Sequence, residues 1–209
     1  MNPLSTPSDR RAFLKSGGRA VAGAALLWSA VGGILKLRSA RPGVVGARGR
    51  LGILRPPGAE DEATFLSRCI RCTRCSDACG AQCIRLFGPE AGVLQGTPYI
   101  VSEAKACTLC LECGEACPTD ALVPLSNVTD VRMGVAVVDE RLCVSHNGTG
   151  VCGACHTACP LKNRAITQGF RNQPIIHDDQ CVGCGLCEEA CIVRDRKAIQ
   201  VVTSRKVRA

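Results

Sequence analysis

Residues 107–118 read CTLCLECGEACP: Cys107, Cys110, Cys113 and Cys117 form a C-x2-C-x2-C-x3-C run, and Pro118 follows the last. The same spacing occurs at Cys69, Cys72, Cys75 and Cys79, and again at Cys181, Cys184, Cys187 and Cys191. Cys143, Cys152, Cys155 and Cys159, with Pro160 behind, repeat it with eight residues in the first gap instead of two. These runs take sixteen of the 17 cysteines and leave Cys83 over.

Such a run is the ligand pattern of bacterial-type [4Fe–4S] clusters, and four copies imply four clusters held by sixteen cysteines. Three thiolates at two-residue gaps wrap one cubane. The fourth cysteine, ahead of a proline suited to a first helical turn, is predicted to open a short helix leading away. In paired ferredoxins that cysteine serves the neighbouring cluster. Backbone amides of the loop can donate to the sulfurs and help hold the cluster's negative charge. Zinc fits poorly, because a four-cysteine zinc site takes two separated pairs. A disulfide framework would not require one strict spacing in four copies. Cys83 reads as a spare buried thiol or as a replacement for Cys79, since Gly80 stands where proline is expected.

Only 3% of the 209 residues are aromatic, which makes a weak core unless inorganic clusters fill the interior and couple their binding to folding. The net charge of +8 does not mark a nucleic-acid binder. Residues 1–47 hold seven Lys/Arg against one Asp, and the rest of the chain is nearly balanced. Arg205, Lys206 and Arg208 form a short basic tail. No basic patch interleaved with aromatics occurs.

The basic start is an address. Arg10 and Arg11, followed by Phe13, Leu14 and Lys15, match a twin-arginine export signal, with an apolar run from Ala20 to Leu35 behind them. That run is longer than a usual signal core and shorter than a comfortable membrane span, so a cleaved leader and an uncleaved anchor both stand. The expected location is the periplasm, with attachment to the inner membrane where the leader stays on as an anchor.

The fourth cysteines recur at 79, 117, 159 and 191, an internal repeat. Strand-like stretches lead into three of the runs (PYIVSEAKAC, GVAVVDERLC, QPIIHDDQC), and ALVPL, AITQG and AIQVV close three. The expected fold is α+β, with tandem two-[4Fe–4S] ferredoxin-like modules after the signal. The expected segments are a signal at 1–47, a Pro/Gly-containing linker at 48–67 that runs into a short helical stretch, and cluster pairs at 68–125 and 126–209. Sequence proximity favours pairing the first run with the second and the third with the fourth; nesting the first with the fourth stays open. The inserted VSHNGTGV should be a surface loop. His146, His156 and His177 form no paired Rieske-type motif and are expected to be hydrogen-bonded or solvent-facing. No nucleotide-binding glycine loop and no nucleophile–base pair is present, so an electron-transfer component without substrate chemistry of its own is expected.

The twin-arginine leader, LRPPGA at 54–59, CIRCTRC, GTPYIV, ACTLCLECGEACPTDAL, VCGACHTACPLKNRAIT and CVGCGLCEEAC together resemble the MauM/NapG family of ferredoxin-type proteins over essentially the whole chain. The resemblance implies a periplasm-facing protein with four [4Fe–4S] clusters. Its NapG-like side implies electron relay from a membrane-bound quinol dehydrogenase (NapH/MauN-like) towards a periplasmic acceptor such as nitrate reductase. Its MauM-like side implies an accessory or maturation role in methylamine utilisation. An iron–sulfur subunit of a larger oxidoreductase is a further reading. Gly80 and Cys83 depart from the pattern and single out the first run.

Overall fold

The computed structural model describes residues 52–203; the leader and the basic tail lie outside the described residues. Among the described residues no helix is long and apolar enough to cross a membrane. The elements are short and mixed. The helices are α1 (Glu62–Arg68), α2 (Arg74–Asp77), α3 (Glu112–Glu115), α4 (Ala154–Ala158) and α5 (Leu186–Glu189). The strands are β1 (Ile84–Leu86), β2 (Pro98–Ile100), β3 (Val135–Val138), β4 (Ile166–Gln168), β5 (Pro174–Ile176) and β6 (Ile199–Val202).

The strands pair antiparallel into three two-stranded sheets, β1–β2, β4–β5 and β3–β6. The first two are hairpins with matching registers, Ile84 opposite Ile100 and Ile166 opposite Ile176. Each joins the end of one cysteine run to the approach of the next. In the third sheet Val135 lies opposite Val202, so the approach to the third run pairs with the exit from the fourth. The first half mirrors this more thinly: Ala59 bridges Leu122, and the Val123 amide donates to the Gly58 carbonyl at 2.9 Å. The strand expected at ALVPL is thus reduced to one bridge.

Two-stranded sheets are marginal alone, and the core that supports them draws on both halves. Leu54, Phe65, Ile84, Ile100 and Leu122 pack in one cluster with Val131, Met133, Val182 and Val201. Phe65 is its single buried aromatic among the described residues.

The segment expected to be a linker is instead built into the fold from Leu54 onward. Arg55 is fully buried. Its guanidinium pairs with Glu62, donating through Nε at 3.1 Å, and donates to Thr97 Oγ1 at 2.9 Å and the Pro98 carbonyl at 2.6 Å. It also lies 4.6 Å from the Phe65 ring centre, a cation–π distance. Asp61 caps α1 by accepting from the amides of Ala63 and Thr64, so the helix starts where Glu62 can reach back to Arg55.

Candidate metal centre: four cysteine sites

Each of the three tight loops turns on two left-handed residues flanking its second cysteine. They are Arg71 and Thr73, Leu109 and Leu111, and Gly183 and Gly185. This conformation turns successive amides towards the concave side, a nest suited to an anion. Non-glycine residues resist it, Thr73 most because it is β-branched. The third loop has no such pair; its insertion does the closing. The Gly150 amide donates to the Val144 carbonyl at 3.0 Å, and the Cys152 amide to Ser145 Oγ at 2.9 Å, which brings Cys143 back beside Cys152.

The third cysteine of every run is the second residue of a short helix, and the fourth lies just beyond that helix's end. The helix therefore precedes the fourth cysteine, where sequence reading placed it after. Pro118 and Pro160 act as stops behind the helix, since proline cannot continue one. The helix spans from a loop's own site to its neighbour's. Cys117 accordingly sits with Cys69, Cys72 and Cys75 around a cleft of about 360 Å³ (site one). Cys79 joins Cys107, Cys110 and Cys113 around one of about 290 Å³ (site two), and Cys83 lines the same cleft. Cys191 joins Cys143, Cys152 and Cys155 around one of about 380 Å³ (site three). Cys159 stands near Cys181, Cys184 and Cys187 (site four).

Thiols of the first run thus gather with thiols of the second, and thiols of the third with those of the fourth. The sites also neighbour one another. Cys75 of site one lies close enough to Cys113 of site two for their charges to interact, and Cys155 of site three bears likewise on Cys187 of site four. Between the halves, the Cys107 amide donates to the Cys184 carbonyl at 3.0 Å. Glu188, buried in α5, braces this seam by accepting from Ser102 Oγ at 2.7 Å and from the Val201 amide at 2.9 Å. Neither the seam nor the Arg55 cluster was foreseen from sequence. The LRPPGA stretch, with Glu62 seven residues beyond Arg55, is the nearest signal of the latter.

The donor set fits iron–sulfur clusters: thiols alone, gathered in fours, at sites one to three around mostly apolar clefts. Backbone N–H groups already point at sulfur, from Leu109 to Cys107 and Leu122 to Cys117 (3.4 Å each) and from Ala136 to Cys181 (3.5 Å). Burial, then neighbouring thiols, pushes Cys113 up to about 12. Burial likewise pushes Cys184 to about 12 and Cys75 and Cys155 to about 11. Cys117 is also raised by burial, but amide donors led by Leu122 outweigh this and leave its thiol below the ordinary value. The histidines are occupied elsewhere: His146 with the Pro174 carbonyl, His156 with Asn163 and His177 with Thr167.

Residues 68–121 match the 4Fe-4S dicluster domain family. Over 93% of its length the chain is 36% identical to the ferredoxin-type protein NapG of Escherichia coli, covering 86% of that protein. It is 40% identical to the methylamine utilization ferredoxin-type protein MauM of Methylorubrum extorquens over 71% of its length and 72% of MauM. NapG of Haemophilus influenzae is 34% identical over 90% of the chain and 69% of that protein. Together with the clustered thiols, these matches indicate an iron–sulfur electron-transfer ferredoxin that carries [4Fe–4S] clusters, and the chain belongs to the NapG/MauM family of ferredoxin-type proteins.

Proposed function

We propose that this chain is a periplasmic four-cluster electron relay, exported folded through Arg10 and Arg11. Its sixteen run cysteines each ligate iron in tandem two-cluster modules. When bound, a [4Fe–4S] cluster stores and passes single electrons. On this reading the four holders follow one another as one, two, four, three, which differs from their order in sequence. The observation that carries this reading is the hydrogen bond from Cys107 to Cys184, which joins site two of one half to site four of the other.

The outer sites, one and three, are then the ends at which partners dock. Exposed apolar side chains flank their cysteines: Ile70 (62% exposed) at site one, and Val151 (63%) and Ile192 (58%) at site three. By family, the partners are a membrane-bound quinol dehydrogenase on one side and a periplasmic reductase, such as nitrate reductase, on the other. The MauM relatives favour a second reading, service to a methylamine-utilisation system. Deleting the gene separates the two, since one reading costs growth on nitrate and the other growth on methylamine.

Iron and acid-labile sulfide on anaerobically purified protein test the cofactor reading, with about sixteen of each per chain expected at four per cluster. Zinc without sulfide would refute it. Lysine at both Arg10 and Arg11 tests export; loaded protein must then stay in the cytoplasm, and unchanged periplasmic yield would refute the address.

A further inference from the structure

We propose that Cys83 is a second ligand for the fourth corner of site two, interchangeable with Cys79; this rests on the iron–sulfur reading above. Cys83 is 2% exposed, so it is no surface thiol. The Gln82 amide donates to the Cys79 carbonyl at 2.9 Å and Gln82 is left-handed, so the chain turns back directly after Cys79. The turn places the Cys83 sulfur 3.6 Å from that of Cys79. Cys83 also lines the site-two cleft together with Cys79 and Cys107, so its thiol faces the site it would serve.

Site one supplies the comparison. Asp120 is the left-handed residue of the matching turn, and four residues beyond Cys117 stands Ala121, buried and lining the site-one cleft. Cys83 therefore occupies, at site two, the position where site one has an inert methyl group. The two turns differ once more. Pro118 locks the backbone behind Cys117, while Gly80 stands behind Cys79. The turn that carries both thiols is thus the one without a bracing ring.

The exchange is balanced. The iron bond to Cys79 sulfur breaks, a bond to Cys83 sulfur forms, and the Cys83 thiol proton passes to the departing Cys79 thiolate. No electron is gained or lost.

The test compares anaerobically purified full-length Cys79→Ala, Cys83→Ala, the double variant and Cys117→Ala by iron content and by electron paramagnetic resonance of the oxidised protein. The two single variants at site two should keep wild-type iron and show no [3Fe–4S] signal. The double variant and Cys117→Ala should each lose at least one iron and show that signal. Cys79→Val, which fills the space and offers no ligand atom, gives the same comparison if the alanine variant does not fold. A Cys79 variant that loses iron as Cys117→Ala does would overturn the proposal. Wild-type protein without labile sulfide would instead strike the underlying reading.

Discussion

The amide of Cys107 donates to the carbonyl of Cys184 at 3.0 Å, so one backbone hydrogen bond directly joins two cysteines from different halves of the chain. Ser102 and Glu188 hold the same seam from either side. Removing the carboxylate in Glu188→Ala leaves a buried hydroxyl and a buried amide without this acceptor, a loss of about 3 kcal/mol. Glu188→Gln keeps an acceptor oxygen and should lose about 1 kcal/mol. Anaerobic denaturant titration measures both. Spin coupling between reduced clusters should weaken in the alanine variant, and unchanged coupling would show that Glu188 does not set the seam.

Thr73 is an exposed, β-branched residue held at φ 65°. Glycine there removes the steric cost and exposes nothing buried. Thr73→Gly should stabilise the loaded protein by about 1 kcal/mol, read as slower iron release on heating. Faster release would mean that the threonine side chain, not its backbone, matters.

Cluster assembly should favour alkaline solution. Burial raises the thiols of Cys75, Cys113, Cys155 and Cys184 to between about 11 and 12, so they hold protons at neutral pH in the cluster-free fold. Iron binds only thiolate, so each ligation expels a proton. The sign follows: affinity rises with pH until the cluster-free thiol itself ionises. Reconstitution with iron and sulfide should give a higher yield at pH 8.5 than at pH 7, followed by visible absorption (both values about mid-range for such buffers).

Charge at the ends should block partners and spare the clusters. Ile70→Glu at site one, or Ile192→Glu at site three, adds a carboxylate to an exposed apolar position and leaves the core untouched. Iron content and potentials should stay at wild-type values, while electron exchange with one partner falls at least tenfold, about 1.4 kcal/mol of barrier. Stopped-flow oxidation by the acceptor and reduction by quinol-charged membranes show which end serves which partner.

The cysteine spacings made the sites legible, because a loop with its chelating residues two apart is a local object. So were β2 to β6, each announced by β-branched or aliphatic runs beside a cysteine loop. β1 at Ile84–Leu86 was not, being three residues squeezed between Cys83 and Phe87. The short helix after the linker was legible, but Arg55 looked like linker composition and proved fully buried, because its charge is met by Glu62 on that helix, a pairing that composition does not announce. The order of the four sites was equally hidden. It depends on which residues of distant loops lack side chains, and spacing within a loop carries no such information.

That last dependence gives the molecule a polarity. A side chain on Gly183 would collide with the Gly134 backbone, and one on Gly185 with Ser102. The corresponding positions of the second loop, Leu109 and Leu111, carry side chains that pack into the core cluster shared by both halves. The two halves look alike, yet of the two loops that meet at the seam the fourth is the bare one, at Gly185, where Ser102 of the other half approaches; Gly183 makes its close approach within its own half. The outer loops do not repeat that joint: the first carries Arg71 and Thr73 at the matching positions, and the third has no left-handed pair beside its second cysteine. The joint between the halves therefore belongs to its two inner loops alone, and neither outer loop among the described residues offers a second copy of it.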